Sequence, residues 1–107
     1  MKPLEIYGEG KTIVAVEDVL SAIKIARCRG EGICATPLLG SSMSKQVEQQ
    51  LLKRYENISV WLDRDKAKNA IRIRNRLRSL GVSSRAIITP LDPKEYNRTE
   101  ILEWLKS

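Results

Sequence analysis

The strongest constraint in this sequence is a rhythm: short, almost continuously apolar runs alternate with segments whose apolar residues recur at helical spacing. Thr12 to Val16 (T-I-V-A-V), Ile33 to Leu39 and Ile58 to Leu62 are short and rich in branched residues, so they read as strands. A fourth run, from about Arg85 to Thr89, is weaker. Between the strands, Val19, Ala22, Ile23 and Ala26 put an apolar face on one helix. Val47, Leu51 and Leu52 do so on a second, capped by Ser42 or Ser44 and reaching about Tyr55. Ala70, Ile73, Leu77 and Leu80 line a third, ended by Gly81. Asn97 followed by Glu100 predicts the start of a last helix running to about Lys106. This alternation predicts an α/β fold of three layers, Rossmann-like, with a mostly parallel central sheet of about four strands covered on both faces. Residues 1–11 read as a polar lead-in or edge segment, and a single domain with its core over about 12–106 accounts for the chain.

That topology has a consequence for the acids. Right-handed crossovers bring the carboxyl ends of parallel strands to one rim of the sheet, where open α/β folds place their sites. Glu17, the Gly40–Ser44 loop, the pair Asp63 and Asp65, and Asp92 all follow strands and belong to that rim. Carboxylates gathered there repel unless protons or a cation compensate them. A hard divalent ion such as Mg²⁺ or Mn²⁺ takes oxygen ligands and answers both needs. If the strand continues through Leu62, Asp63 and Asp65 at i and i+2 point the same way and can approach one ion. Acids ahead of a helix are also ordinary N-caps, a role open to Asp18 and Asp65.

Charge is unevenly placed. Arg64 to Arg85 holds eight basic residues against the single acid Asp65, a surplus greater than the net +6 of the whole chain. Lys68, Arg72 and Arg76 share one side of the third helix and could follow a nucleic-acid backbone, or simply face solvent. Gly40, Ser41 and Ser42, at a helix N-terminus, could donate N–H groups to phosphate, or form an ordinary turn. The chain has no His, and its two cysteines, Cys28 and Cys34, are not in a C-x-x-C pair, which excludes a usual structural zinc site. Two thiols without a signal-peptide pattern or a membrane-length apolar stretch predict a cytoplasmic setting and no membrane partner.

The runs I-V-A-V-E-D-V-L-S-A and V-W-L-D-R-D-K-A, with L-D-P-K-E-Y downstream, resemble the Toprim domain, most closely that of phage and bacterial primases or primase-helicases. The resemblance extends over about residues 12–105 and identifies the whole of 1–107 as a single Toprim domain. It implies that Glu17 is the catalytic acid, as metal ligand or general base. Asp63 and Asp65 would be the Mg²⁺-binding pair and Asp92 a supplementary acid. Asp18 stands where glycine usually follows the glutamate, and Lys68 where glycine often follows D-x-D. The implied reaction is nucleotidyl transfer making RNA primers on single-stranded DNA from nucleoside triphosphates. The resemblance also implies further parts, an N-terminal primase subdomain, a zinc module or a helicase, with the isolated domain priming poorly or not at all. A metal-dependent Toprim nuclease and a non-catalytic nucleic-acid-binding module are the alternatives. A topoisomerase is disfavoured, because Tyr7, Tyr55 and Tyr96 lack the context of a strand-cleaving tyrosine.

Overall fold

The computed structural model describes residues 5–28, 32–39 and 43–106. In chain order the elements are β1 (Thr12–Val16), α1 (Val19–Ala26), β2 (Ile33–Pro37), α2 (Lys45–Arg54), β3 (Asn57–Trp61), α3 (Ala67–Ser79), β4 (Ser83–Ala86) and α4 (Arg98–Lys106). Single 3₁₀ turns at Arg64–Lys66 and Pro93–Glu95 precede α3 and α4. The four strands form one sheet in the order β2-β1-β3-β4, and every pairing between them is parallel. The expected α/β architecture is therefore the observed one.

The pleat divides the core. Val14, Val16 and Trp61 turn to one face, where they pack with Ala22 and Ile25 of α1 and Ile101 of α4. Ile13, Ile58 and Val60 turn to the other, against Leu51 of α2 and Ala70, Ile73 and Leu77 of α3. β1, β2 and β3 thus bury both faces, which explains why these runs are largely apolar rather than alternating, whereas the edge strand β4 is polar and only partly covered. With no Phe in the chain, the large pieces on the first face are Trp61, Tyr96 and Trp104, whose ring centroids lie 6.0 and 6.2 Å apart in sequence along the row. The lead-in reaches the sheet edge through an antiparallel bridge between Tyr7 and Ala35. Gly10 lies against the Gly32 backbone so closely that a Cβ would sit 2.0 Å from the Gly32 carbonyl oxygen.

Four boundaries or phases differ from expectation. The second strand ends at Pro37 rather than Leu39, because Leu39 takes a left-handed φ of 55° that turns its side chain outward. The third strand is Asn57–Trp61, so Leu62 and Asp63 are already outside it. The fourth is Ser83–Ala86 rather than Arg85–Thr89: it begins two residues early, because ladder pairing to β3 overrides the poor strand propensity of serine, and ends three residues early, where the pairing to β3 stops. On α1 the buried residues are Ser21, Ala22 and Ile25, whereas Val19, Ile23 and Ala26 are only partly covered. That helix is apolar nearly all round, so spacing cannot choose its face. Packing of Ala22 and Ile25 on the sheet sets the phase, and Asp18 caps the helix by accepting from Ser21 N at 2.8 Å.

The helix ends follow local chemistry. Ser44 accepts from Val47 N at 3.2 Å and starts α2. Asn97 and Glu100 exchange bonds of 2.9 and 3.0 Å at the start of α4. Gly81, at φ 88°, supplies the left-handed turn after α3, and Val82 N bonds back to Leu77 O at 3.1 Å. Both cysteines are buried and free.

Candidate active site

The chain runs from β1 outward to β2, then returns past β1 to β3, so the connection reverses direction between β1 and β3. Ligands of open α/β sheets bind in the crevice that such a reversal leaves beyond the strand carboxyl ends. Val16 and Trp61 are register partners at those ends. Glu17 directly follows Val16, and Asp63 lies two residues beyond Trp61. The two carboxyls therefore flank the crevice.

Their side chains interact. Burial pushes the Asp63 carboxyl up to about 6, with further upward pushes from the charge of Glu17, from Asp92 and from a hydrogen bond with Glu17, while Lys94 opposes them. One oxygen of each acid, Glu17 Oε2 and Asp63 Oδ1, is buried without a hydrogen-bond partner. Unpaired carboxylate oxygens in a partly buried setting are costly. A proton or a cation is the remedy, and a divalent cation fits this donor set of hard oxygens.

Asp92 joins the pair from the β4 side. Trp61 Nε1 donates to Thr89 Oγ1 at 3.1 Å in the core, and the Thr89 hydroxyl donates to the Leu91 carbonyl. Leu91 N donates to the Tyr96 hydroxyl at 3.1 Å. The loop so held places Asp92 Oδ1 to accept from Arg64 N at 3.1 Å, beside Asp63. Asp92 N donates to Glu95 Oε2 at 2.9 Å, which closes the 3₁₀ turn.

Asp65 is placed differently. β3 ends before the acids, and Asp65 lies exposed within the Arg64–Lys66 turn, so the pleat does not align it with Asp63. It is not among the groups that perturb Asp63. Among the described residues, no group of three His, Cys, Asp or Glu side chains is gathered closely enough to cage a metal. The centre is thus a carboxylate pair with Asp92 adjacent and Asp65 on the next turn.

Two residues at the rim gain roles that spacing could not supply. Asp18 caps α1 and also accepts from Lys94 Nζ at 3.3 Å. Burial pushes its carboxyl up, but the bonds from Ser21 and Lys94 outweigh that and hold it below the ordinary range. Lys94 is raised by its hydrogen bond to Asp18 and by the charges of Asp18, Asp63 and Asp92. It is a fixed cation over the acidic centre, missed in the sequence because the partner is 76 residues away.

Of the expected phosphate contacts, Gly40, Ser41 and Ser42 lie outside the described residues. Lys68 and Arg72 are exposed on α3. Arg76 is engaged with Glu48, Nε to Oε2 at 3.1 Å, and so is tied to α2.

No family model matches the chain, and no curated protein matches it significantly. A crystal structure of the Aquifex aeolicus primase, comprising its zinc-binding and RNA polymerase domains, is similar, at 18% identity with a TM-score of 0.70. The similarity covers 90% of this chain and 25% of the primase chain, so this chain spans about a quarter of its neighbour's length. The fold is primase-like.

Proposed function

We propose that this chain is a metal-dependent Toprim catalytic module of a DNA primase, and that Glu17 and Asp63 are the heart of its site. The observation that carries the reading is a pair of partly buried carboxylates, each with one buried oxygen lacking a hydrogen-bond partner, at the crevice of a primase-like sheet. Mg²⁺ is commonly held by one or two carboxylates and otherwise by water and substrate phosphate, which suits a pair better than a closed cage. Bound there, Mg²⁺ or Mn²⁺ would supply charge stabilisation for phosphoryl oxygens and a leaving pyrophosphate.

The side chains divide the remaining work. Asp63 would hold the ion with Glu17, with Asp92 beside them and Asp65 reaching from the following turn. Alternatively Glu17, hydrogen-bonded to Asp63, would serve as the base that accepts a proton from an attacking 3′ hydroxyl. Lys94 is a cation already fixed by Asp18 and can meet a triphosphate oxygen. Lys68 and Arg72, exposed on α3, would meet the template backbone, with Gly40, Ser41 and Ser42 contributing N–H groups to phosphate. Single-stranded DNA and nucleoside triphosphates are the substrates of this reading. A zinc module, an N-terminal primase subdomain or a helicase would complete it, in the cytoplasm of a bacterial or phage-infected cell. No described helix is long and apolar enough to cross a membrane.

The test has two stages. Mn²⁺ binding, followed by calorimetry, should be lost in Asp63→Asn and weakened in Asp65→Asn. Labelled single-stranded DNA is then incubated with nucleoside triphosphates and Mn²⁺, with and without partner domains. Metal-dependent primer synthesis supports the reading. Cleavage of the DNA that disappears in Asp63→Asn would replace it with the nuclease alternative, and DNA binding without any metal site would favour the interaction module.

A further inference from the structure

On the α1–α4 side of the molecule, away from the basic helix α3, lies a groove of about 630 Å³. Its walls carry Lys24 and Arg27 from the end of α1, Lys94 from the turn before α4, and Arg98 from the start of α4. Among the described residues no acid lines it. The apolar part is Leu20, Ile23 and the largely buried Cys28.

Leu20, Ile23, Lys24 and Arg27 stand at i, i+3, i+4 and i+7, so they form one continuous outward stripe on α1. The opposite stripe, Ser21, Ala22 and Ile25, is the one packed on the sheet. A helix carrying apolar residues on both faces is expected to be covered on both. Yet Leu20 is 68% exposed. The groove therefore offers apolar anchors flanked by four cationic side chains from three neighbouring pieces of structure.

We infer that this groove docks an acidic peptide segment with apolar anchor residues, presented by a partner protein. Charge complementarity argues for the acid, since Lys24 and Lys94 each use one donor internally, to Lys94 O at 2.7 Å and to Asp18, and an ammonium has three. The apolar floor argues for the anchor. A nucleic-acid strand fits less well, because no aromatic side chain lines the groove for bases to stack on. Carboxylates of the peptide would meet Arg27 and the spare donors of Lys24 and Lys94, and a leucine-like side chain would cover Leu20 and Ile23.

The probe is a fluorescein-labelled peptide of glutamates with leucines at helical spacing, followed by fluorescence anisotropy with the intact chain. Its lysine-for-glutamate counterpart and a labelled oligothymidylate serve as comparators. The acidic peptide should bind and the basic one should not. Binding should weaken at least about tenfold in Leu20→Glu and in Arg27→Glu, and should fall as salt rises. Both residues are at the surface, so thermal melting and Mn²⁺ binding at Asp63 should be unchanged in these variants. Absence of peptide binding, or peptide binding indifferent to Leu20→Glu, overturns the inference. So does displacement of the peptide by oligothymidylate through an Arg27-dependent site, which would make the groove a nucleic-acid track. Self-association of the chain abolished by Leu20→Glu would assign the face to a second copy instead.

Discussion

Asp63→Asn should stabilise the metal-free protein at neutral pH while removing its metal site. In the folded chain the Asp63 carboxyl is pushed from 3.8 up to about 6. The folded state therefore binds the Asp63 proton more tightly than the unfolded state. Stability from this group is complete below about 3.8 and is lost as pH rises through about 6, where the folded state must ionise too. The full shift corresponds to about 3 kcal/mol. Asp63 is partly open to solvent, and screening reduces the expected effect to roughly 1–2 kcal/mol. Asparagine keeps the shape and a hydrogen bond to Glu17 but carries no charge, so it escapes this loss. In urea titrations with EDTA at pH 7.5, the variant should be more stable than the parent by roughly 1–2 kcal/mol. At about pH 3 the difference should nearly vanish, because Asp63 is then protonated in the folded and the unfolded parent alike. Mn²⁺ should raise the midpoint of the parent and leave the variant where it was. A variant less stable than the parent at pH 7.5 without metal, or a gain that does not change with pH, would refute the account in which burial and the charge of Glu17 raise the Asp63 carboxyl.

Other substitutions probe the elements that hold the site in place. Thr89→Val strands the Trp61 indole N–H in the core and releases the Leu91 carbonyl, so it should cost about 1–3 kcal/mol by urea denaturation. An unchanged midpoint would mean that the Asp92 loop does not depend on this bond. Arg76→Ala leaves the Glu48 side chain, 12% exposed, without its guanidinium, and should destabilise by about 1–2 kcal/mol, with part of the loss recovered in the double variant Glu48→Gln, Arg76→Ala. Asn97→Ala opens the capping box of α4 and should lower stability by about 1 kcal/mol in the same assay. Lys94→Met removes a cation that holds Asp63 down, so the Asp63 carboxyl should titrate above about 6 by carbon-13 NMR, and an unmoved or lower midpoint would contradict the proximity of the two groups.

The rim that carries the acids was legible because each piece of evidence for it is local. Strand residues buried on both faces must be apolar, and Thr12–Val16 shows that in five consecutive letters. Ser44, Asn97 with Glu100, and Gly81 satisfy helix ends from within a few residues, so the order of elements could be read directly. Parallel pairing then followed from the alternation, and with it the common placement of Glu17, Asp63 and Asp92. What spacing could not reach is decided by contacts between distant segments. The face that α1 buries depends on which stripe of an apolar helix meets the sheet. Asp65 is set apart from Asp63 because β3 stops at Trp61 and a 3₁₀ turn follows, a difference of register rather than of residue type. Arg76, one of three cations in a regular row, is committed to α2 through Glu48. Asp18, whose purpose the chain alone leaves open, acquires one when Lys94 folds over it from the far end of the sequence. The sequence by itself thus determined the elements and the edge of the sheet on which the chemistry sits, since both follow from local burial and hydrogen bonding. Only the tertiary structure decided which charges meet there, because that depends on distances between residues that no local rule connects.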